Sequence, residues 1–248
     1  MKPFVSLFCL SAACCVPLLA QTTPQMARLY SYQVPPDGAA EFFDVQRDTA
    51  EIYKTNKAPH PRLCWTSLAG PQMLYMWVPI SGLDKLMDRT WLSQQGEEMP
   101  RAARVSRLAR AGAGATVRLI RSLPDLSWDD TPNGAPEAFA SVRVDIVKPG
   151  KSSEYTALIK EVAQTYKKMG AAKSFSAHRL AYGGNIYEFT TVAGYSSLAD
   201  IPDQDAFRKA MGDSRYDALV KQMGEILQSS ERTLARYRPE FSYMPEVK

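Results

Sequence analysis

His178 stands in the run Phe175–Leu180, where apolar and polar residues alternate from Phe175 to His178. An imidazole titrates near neutral pH and acts as a general base when a carboxylate orients it. Strand alternation puts Glu188 and Asp145 on the same expected side as His178, so these three form a candidate catalytic set. The chemistry they would serve is general acid–base catalysis on a bound molecule. A second set is of the binding kind: Tyr30, Tyr32, Trp65, Tyr75 and Trp77, with Arg143. Aromatic faces hold flat or apolar molecules, and a few placed polar groups fix their orientation. The competing reading is that these side chains only pack two halves together, Arg143 pairing with Asp145 two positions on to limit the cost of desolvation.

Other residues offer less. His60 lies in a rigid Pro59-His60-Pro61 loop. With His178 as the only other histidine and no cysteine pair nearby, no metal site is expected. No haem-attachment motif accompanies His178, and no cofactor is expected. Ala111-Gly112-Ala113-Gly114-Ala115 lacks the Lys-Ser/Thr of a phosphate loop and reads as a turn. Arg121 and Arg236 recur in equivalent places, where they either serve a shared fold or hold a carboxylate or phosphate.

That recurrence comes from a repeat that must position everything above. Arg121-Ser122-Leu123-Pro124-Asp125-Leu126-Ser127-Trp128 returns 115 positions later as Arg236-Tyr237-Arg238-Pro239-Glu240-Phe241-Ser242-Tyr243. Val34-Pro35-Pro36 returns after 113 as Val147-Lys148-Pro149, and Gly70 returns as Gly183 at the same spacing. The expected division is a leader at 1–20, a first unit at 21–128, a linker at 129–138 and a second unit at 139–248. The linker stretch Asp129–Pro136 is polar and rich in turn formers.

Each unit reads strand, helix, strand, strand, helix, strand. In the second, Val142, Val144 and Ile146 alternate with Arg143 and Asp145. Tyr155, Leu158, Ile159, Val162 and Tyr166 then repeat at helical spacing. Tyr182-Gly183-Gly184 marks a hairpin between Phe175–Leu180 and Asn185–Thr191. A helix at Tyr216–Leu227 and a strand at Arg232–Arg238 finish the unit. The first follows through Leu29–Val34, Ala39–Asn56, Arg62–Leu68, Gln72–Val78, a poorly patterned stretch at Met99–Ala109 and Thr116–Leu123. The expected class is α+β: two ferredoxin-like units whose antiparallel sheets bury their bare faces against each other as a barrel within one chain. Val142, Val144, Ile146, Phe175, Ala177, Tyr187 and Phe189 are expected under the helices. Arg143, Asp145, His178, Glu188 and Thr190 are expected inside the barrel. Transferring that register places Tyr30, Tyr32, Trp65, Tyr75 and Trp77 inside it too.

Val147-Lys148-Pro149-Gly150-Lys151, followed by Glu154-Tyr155, resembles the opening of dimeric α+β barrel proteins of the NIPSNAP type. The stretch Leu234-Ala235-Arg236-Tyr237-Arg238-Pro239-Glu240-Phe241-Ser242 is similar to their Pro-x-Phe-Ser tail. The first unit departs from both motifs, with Pro35-Pro36-Asp37-Gly38 for the Pro-Gly turn and Leu126 for the Phe. The resemblance implies the barrel fold. It leaves function open, because that superfamily spans cofactor-independent monooxygenases, haem-handling enzymes, aldoxime- and lactone-processing members and many proteins without an assigned activity; for His178 with Glu188 or Asp145 it implies a cofactor-independent monooxygenase or isomerase as the alternative to simple binding.

The first residues carry Lys2 ahead of 17 uncharged ones, Phe4 to Ala20, with a small residue at the expected cleavage point. The run is shorter than the ~20 residues of a membrane span. Export to the periplasm or the outside is therefore expected, with lipidation at Cys14 or Cys15 the minor alternative. Loss of the leader leaves Cys64 as the lone cysteine, buried in a strand. It also lowers the net charge of +4 by one, through Lys2. So mild and dispersed an excess does not point to nucleic acid. The expected partner is a small apolar or aromatic molecule. Self-association through sheet edges, as in a non-catalytic assembly module, is the third alternative.

Overall fold

A computed structural model of the chain describes residues 26–86, 98–131 and 134–245. The expected leader, with Cys9, Cys14 and Cys15, lies outside the described residues, as do 132–133 of the expected linker.

The first unit runs β1 (Met26–Gln33), α1 (Ala39–Thr55), β2 (Leu63–Ser67), β3 (Met73–Ile80), α2 (Glu98–Arg110) and β4 (Gly114–Ser122), with a short β5 (Trp128–Asp129) after it. The second runs β6 (Phe139–Val147), α3 (Ser152–Met169), β7 (Ser174–Tyr182), β8 (Glu188–Tyr195), α4 (Gln204–Met211), α5 (Asp213–Ile226) and β9 (Leu227–Tyr237). Within the units the strand orders are β4-β1-β3-β2 and β9-β6-β8-β7. β2 pairs with β9 and β4 with β7, all antiparallel, so eight strands close into a barrel and β5 extends beside β7. Closure removes the unpaired edges that either sheet alone would expose.

Each helix layer covers one arc of the barrel. Phe42 of α1 packs with Val34, Cys64, Leu74, Met76 and Val78. Tyr155, Leu158 and Ile159 of α3 and Leu219, Met223 and Ile226 of α5 pack on Phe175, Ala177, Phe189 and Ala193. Cys64 is fully buried, as its strand position implied.

The tails after β4 and β9 cross to the opposite half in matching ways. Leu123 N donates to Ala177 O, and Arg238 N to Cys64 O. Ser127 Oγ accepts from Ala177 N and donates to Leu123 O; Ser242 Oγ accepts from Cys64 N and donates to Arg238 O. Leu126 thereby enters the core of the second half and Phe241 that of the first. The hairpin glycines also correspond: Gly70 and Gly183 have φ of +75° and +95°, the left-handed region that glycine tolerates best. A Cβ on Gly183 would also lie 2.6 Å from Val117 O, so that hairpin can rest on β4 only without a side chain.

Met99–Ala109, poorly patterned in sequence, lies in α2, the helix that the order of elements calls for there. One element differs from expectation. The long helix expected at Tyr216–Leu227 begins at Asp213 and is preceded by α4, which is capped by Asp203 accepting from Ala206 N at 2.7 Å. Gly212, at φ +92°, turns the chain between them. No helix among the described residues is long and apolar enough to cross a membrane.

Candidate functional site

Side chains opposite one another across a ladder share a face, so the two cores settle which residues line the barrel. Leu74, Met76 and Cys64 lie under α1, hence Tyr75, Trp77 and Trp65 point inward, as expected. Trp65 faces Tyr75 across β2–β3 and Tyr237 across β2–β9, its ring 5.5 Å from that of Tyr237. Trp77 packs with Leu29 on the inner cluster of Ala27, Ile120 and Leu180.

Tyr30 and Tyr32 correct the expectation. They lie on the helix side of β1, Tyr32 with its ring 5.4 Å from that of Phe42, and Leu29 takes the inward place. β6 is corrected in the same sense. Arg143 and Asp145 lie beneath α3, where Asp145 accepts from Arg143 Nε at 2.9 Å and from Tyr155 Oη at 2.8 Å. Val142, Val144 and Ile146 line the barrel instead. Alternation was real, but its faces were exchanged. The helix side of β6 holds a charged network, so the apolar residues there mark the lumen.

His178, Glu188 and Thr190 do face inward, and Phe175, Ala177 and Phe189 lie under the helices, as expected. Tyr187 precedes β8 and stays partly exposed. His178 is met by hydroxyls at both ring nitrogens, Ser122 Oγ 3.3 Å from Nδ1 and Ser176 Oγ 3.1 Å from Nε2. Asp145 lies on the other side of the sheet from it. Glu188, nearly buried, forms an ion pair with Arg118, Nε to Oε1 3.1 Å. Burial pushes the Glu188 carboxyl upward more strongly than Arg118 draws it down, and Glu231 adds to the rise. Arg118, Ser122, Ser176 and Tyr237 were missed in the sequence. Ser176 was within reach, since alternation puts it on the same side of β7 as His178; the pairing of β4 with β7 and of β9 with β2 brings in the other three.

The lumen is graded. Of the inward side chains, Ser122, His178, Leu180, Thr190, Ile120 and Leu63 are buried. Elsewhere Trp65, Tyr75, Trp77, Val142, Val144, Thr233 and Tyr237 keep partial exposure and Glu231 is exposed, although the helix-side residues of the same strands, such as Leu74 and Phe189, are nearly or wholly buried. Solvent therefore reaches an apolar inner wall built by both halves.

Burial holds the His178 imidazole down to about 4. The unfolded chain takes up this proton near pH 6.5 and the folded chain only near 4. The stability tied to neutral His178 is thus complete above pH ~6.5 and is lost as the pH falls toward ~4, by about 3 kcal/mol. Glu188, whose folded pKa is raised, acts in the opposite sense and strengthens the fold on acidification. Urea denaturation at about pH 7 and about pH 4 should show a falling midpoint in the native chain and a flatter profile in His178→Gln. An unchanged slope in that variant would remove the assignment.

His60 packs edge-on against Tyr53, ring centroids 5.8 Å apart. Arg121 and Arg236 point outward and are exposed, opposite Arg179 and Thr66. No group of three or more His, Cys, Asp or Glu among the described residues is placed to hold a metal.

No family model matches the chain, and no curated protein does. Solved structures do. A candidate monooxygenase of Fusobacterium nucleatum superposes with a TM-score of 0.61 at 13% identity, over 86% of this chain and 91% of that one. An anthrone oxidase-like protein gives 0.55 at 12% identity, over 88% and 92%. A NIPSNAP family protein of Agrobacterium tumefaciens shares 23% identity over 39% of this chain and 89% of its own, with a TM-score of 0.30. At such identities the likeness is one of fold. The chain has the fold of the dimeric α+β barrel proteins, with both sheets of the barrel supplied by one polypeptide.

Proposed function

We propose that this chain is an exported, internally duplicated barrel protein that binds a flat, apolar small molecule in its lumen. Trp65, Tyr75 and Trp77 form the aromatic wall; Val142, Val144 and Thr233 form the wall that adjoins it through β9 and β6. The observation that carries this reading is the partial exposure of those inward side chains beside helix-side neighbours that are buried. Trp65 and Tyr237 make a tilted aromatic pair on that wall. Export rests on the N-terminal residues alone, and a mature protein starting near Gln21 in the culture medium or periplasm is the expected outcome. Base catalysis by His178 has less support, since hydroxyls rather than a carboxylate meet its nitrogens.

The uncharged probe N-phenylnaphthylamine tests the lumen. Trp65→Ala and Trp77→Ala should each weaken its binding by roughly tenfold, while the melting profile stays cooperative. Val144→Trp, which fills the lumen from the other half, should abolish it. Folded variants that bind the probe as the native chain does would end this reading.

A further inference from the structure

The face of the second sheet turned away from the lumen holds a different arrangement. Arg143 on β6 and Arg232 on β9 are direct cross-strand partners beneath α3. Like charges placed so are normally destabilising. Arg143 is offset by Asp145 and also donates to Ser230 Oγ at 3.2 Å. Arg232 donates through Nε to Ser141 Oγ at 2.8 Å, and no carboxylate pairs with it among the described residues. The nearby acid on α3, Glu161, is taken by Arg215. Two guanidinium groups and one carboxylate leave one positive charge.

That charge borders a cavity of about 80 Å3, which the two arginines line together with Ser141, Thr191, Ile159 and Phe175. A single water needs only ~10–15 Å3 by a comparable measure, so the space is several times that. Exposure gives it a direction. Arg232 is exposed and Arg143 partly so, whereas Ile159 and Phe175 are buried at 1% and 2%. The cationic end is the mouth and the apolar end is the interior.

We propose that this cavity binds a small organic carboxylate. Its head would be held by Arg143 and Arg232, with Ser141 and Thr191 as hydroxyl partners, and its short apolar or aryl tail would enter between sheet and helix. A monoanion matches the single uncompensated charge. A phosphate dianion would exceed it and would leave the apolar end empty. Guanidinium groups suit a carboxylate because their donors are paired and planar.

Calorimetric titration with benzoate tests the assignment. One equivalent should bind with a Kd on the order of 1 mM or below. Arg232→Gln, at an exposed position, should weaken it roughly tenfold or more. Val162→Trp, which fills the cavity, should abolish binding. Neutral benzamide should not bind, and inorganic phosphate should bind more weakly than benzoate. Absence of benzoate binding, an unchanged affinity in Arg232→Gln, equal binding of benzamide, or tighter binding of phosphate would each overturn the proposal. Trp65→Ala separates it from the lumen reading. That variant should bind N-phenylnaphthylamine roughly tenfold more weakly and benzoate as the native chain does, and a matching loss of benzoate affinity would place the carboxylate in the lumen and overturn this site.

Discussion

Phe241→Ala is expected to destabilise the protein by about 3–5 kcal/mol, lowering the thermal midpoint by roughly 10 °C for a chain of this size. The ring is almost fully buried and lies flat on Phe43, with centroids 5.2 Å apart. The Arg238 guanidinium sits 4.8 Å from its centroid. Its carbonyl accepts from buried Arg62, which also donates to Gln46. Beyond the cavity left by the ring, truncation loosens the tail that carries Ser242 Oγ to Cys64 N and Tyr243 to β2. Cys64 then reports on the change. Burial raises its thiol pKa and keeps it from reagents, so Phe241→Ala should make it react far faster with a thiol-specific reagent than the native chain does. A variant with the native midpoint and an unreactive Cys64 would show that the tail adds nothing to the first core. Leu126→Ala, its counterpart in the second core and slightly more exposed, should cost about 2–5 kcal/mol and leave Cys64 protected.

The tails were legible in the sequence because their Pro-acid-apolar-Ser pattern is local chemistry. A proline starts the 3-10 turn, an apolar residue anchors it and a serine bonds the backbone on either side. Strand and helix positions were legible for the same reason, since periodicity is a property of neighbours in sequence. The faces were not, wherever both sides of a strand are buried in a closed barrel. On β3, β7 and β8 the more apolar set lies under the helices, and on β1 the bulkier one does, Tyr30 and Tyr32, although the transferred register put them in the lumen. On β2 and β6 it does not: Leu63 and Trp65 face the lumen, and the most charged pair in the second half lies under α3. Hydrophobicity identifies a core-facing residue but cannot say which of two cores it faces. One of the two hydroxyl partners of His178 was hidden for a related reason. Ser122 and His178 are 56 positions apart, and the ladder that joins their strands is the seam of the barrel.

Asp145 is the residue whose reassignment changes the most, and removing it should be the second costly substitution. Fully buried, it accepts from Arg143 and Tyr155, whose hydroxyl pKa is raised by burial first and then by this carboxylate. Asp145→Ala leaves the Tyr155 hydroxyl unpaired in the core and Arg143 without its counter-charge. The expected cost is about 3 kcal/mol, the low end for a broken buried pair, because Arg143 keeps 32% exposure and can turn to water. Tyr155→Phe should cost about 1–2 kcal/mol, as it deletes one hydrogen bond and retains the ring on Phe189. The double variant Asp145→Ala with Tyr155→Phe should be less damaging than the two single losses together, because the Tyr155 hydroxyl that Asp145→Ala would orphan is then gone. Strict additivity in urea denaturation would refute the shared network. N-phenylnaphthylamine binding should survive in every folded variant of the set, since Asp145 lies across the sheet from the lumen. Benzoate binding should weaken, because Asp145 holds Arg143 in place at the cavity mouth. A residue placed by alternation as the carboxylate partner of His178 would then be a clamp for an arginine on the opposite face, and the two probes would tell those roles apart in one protein.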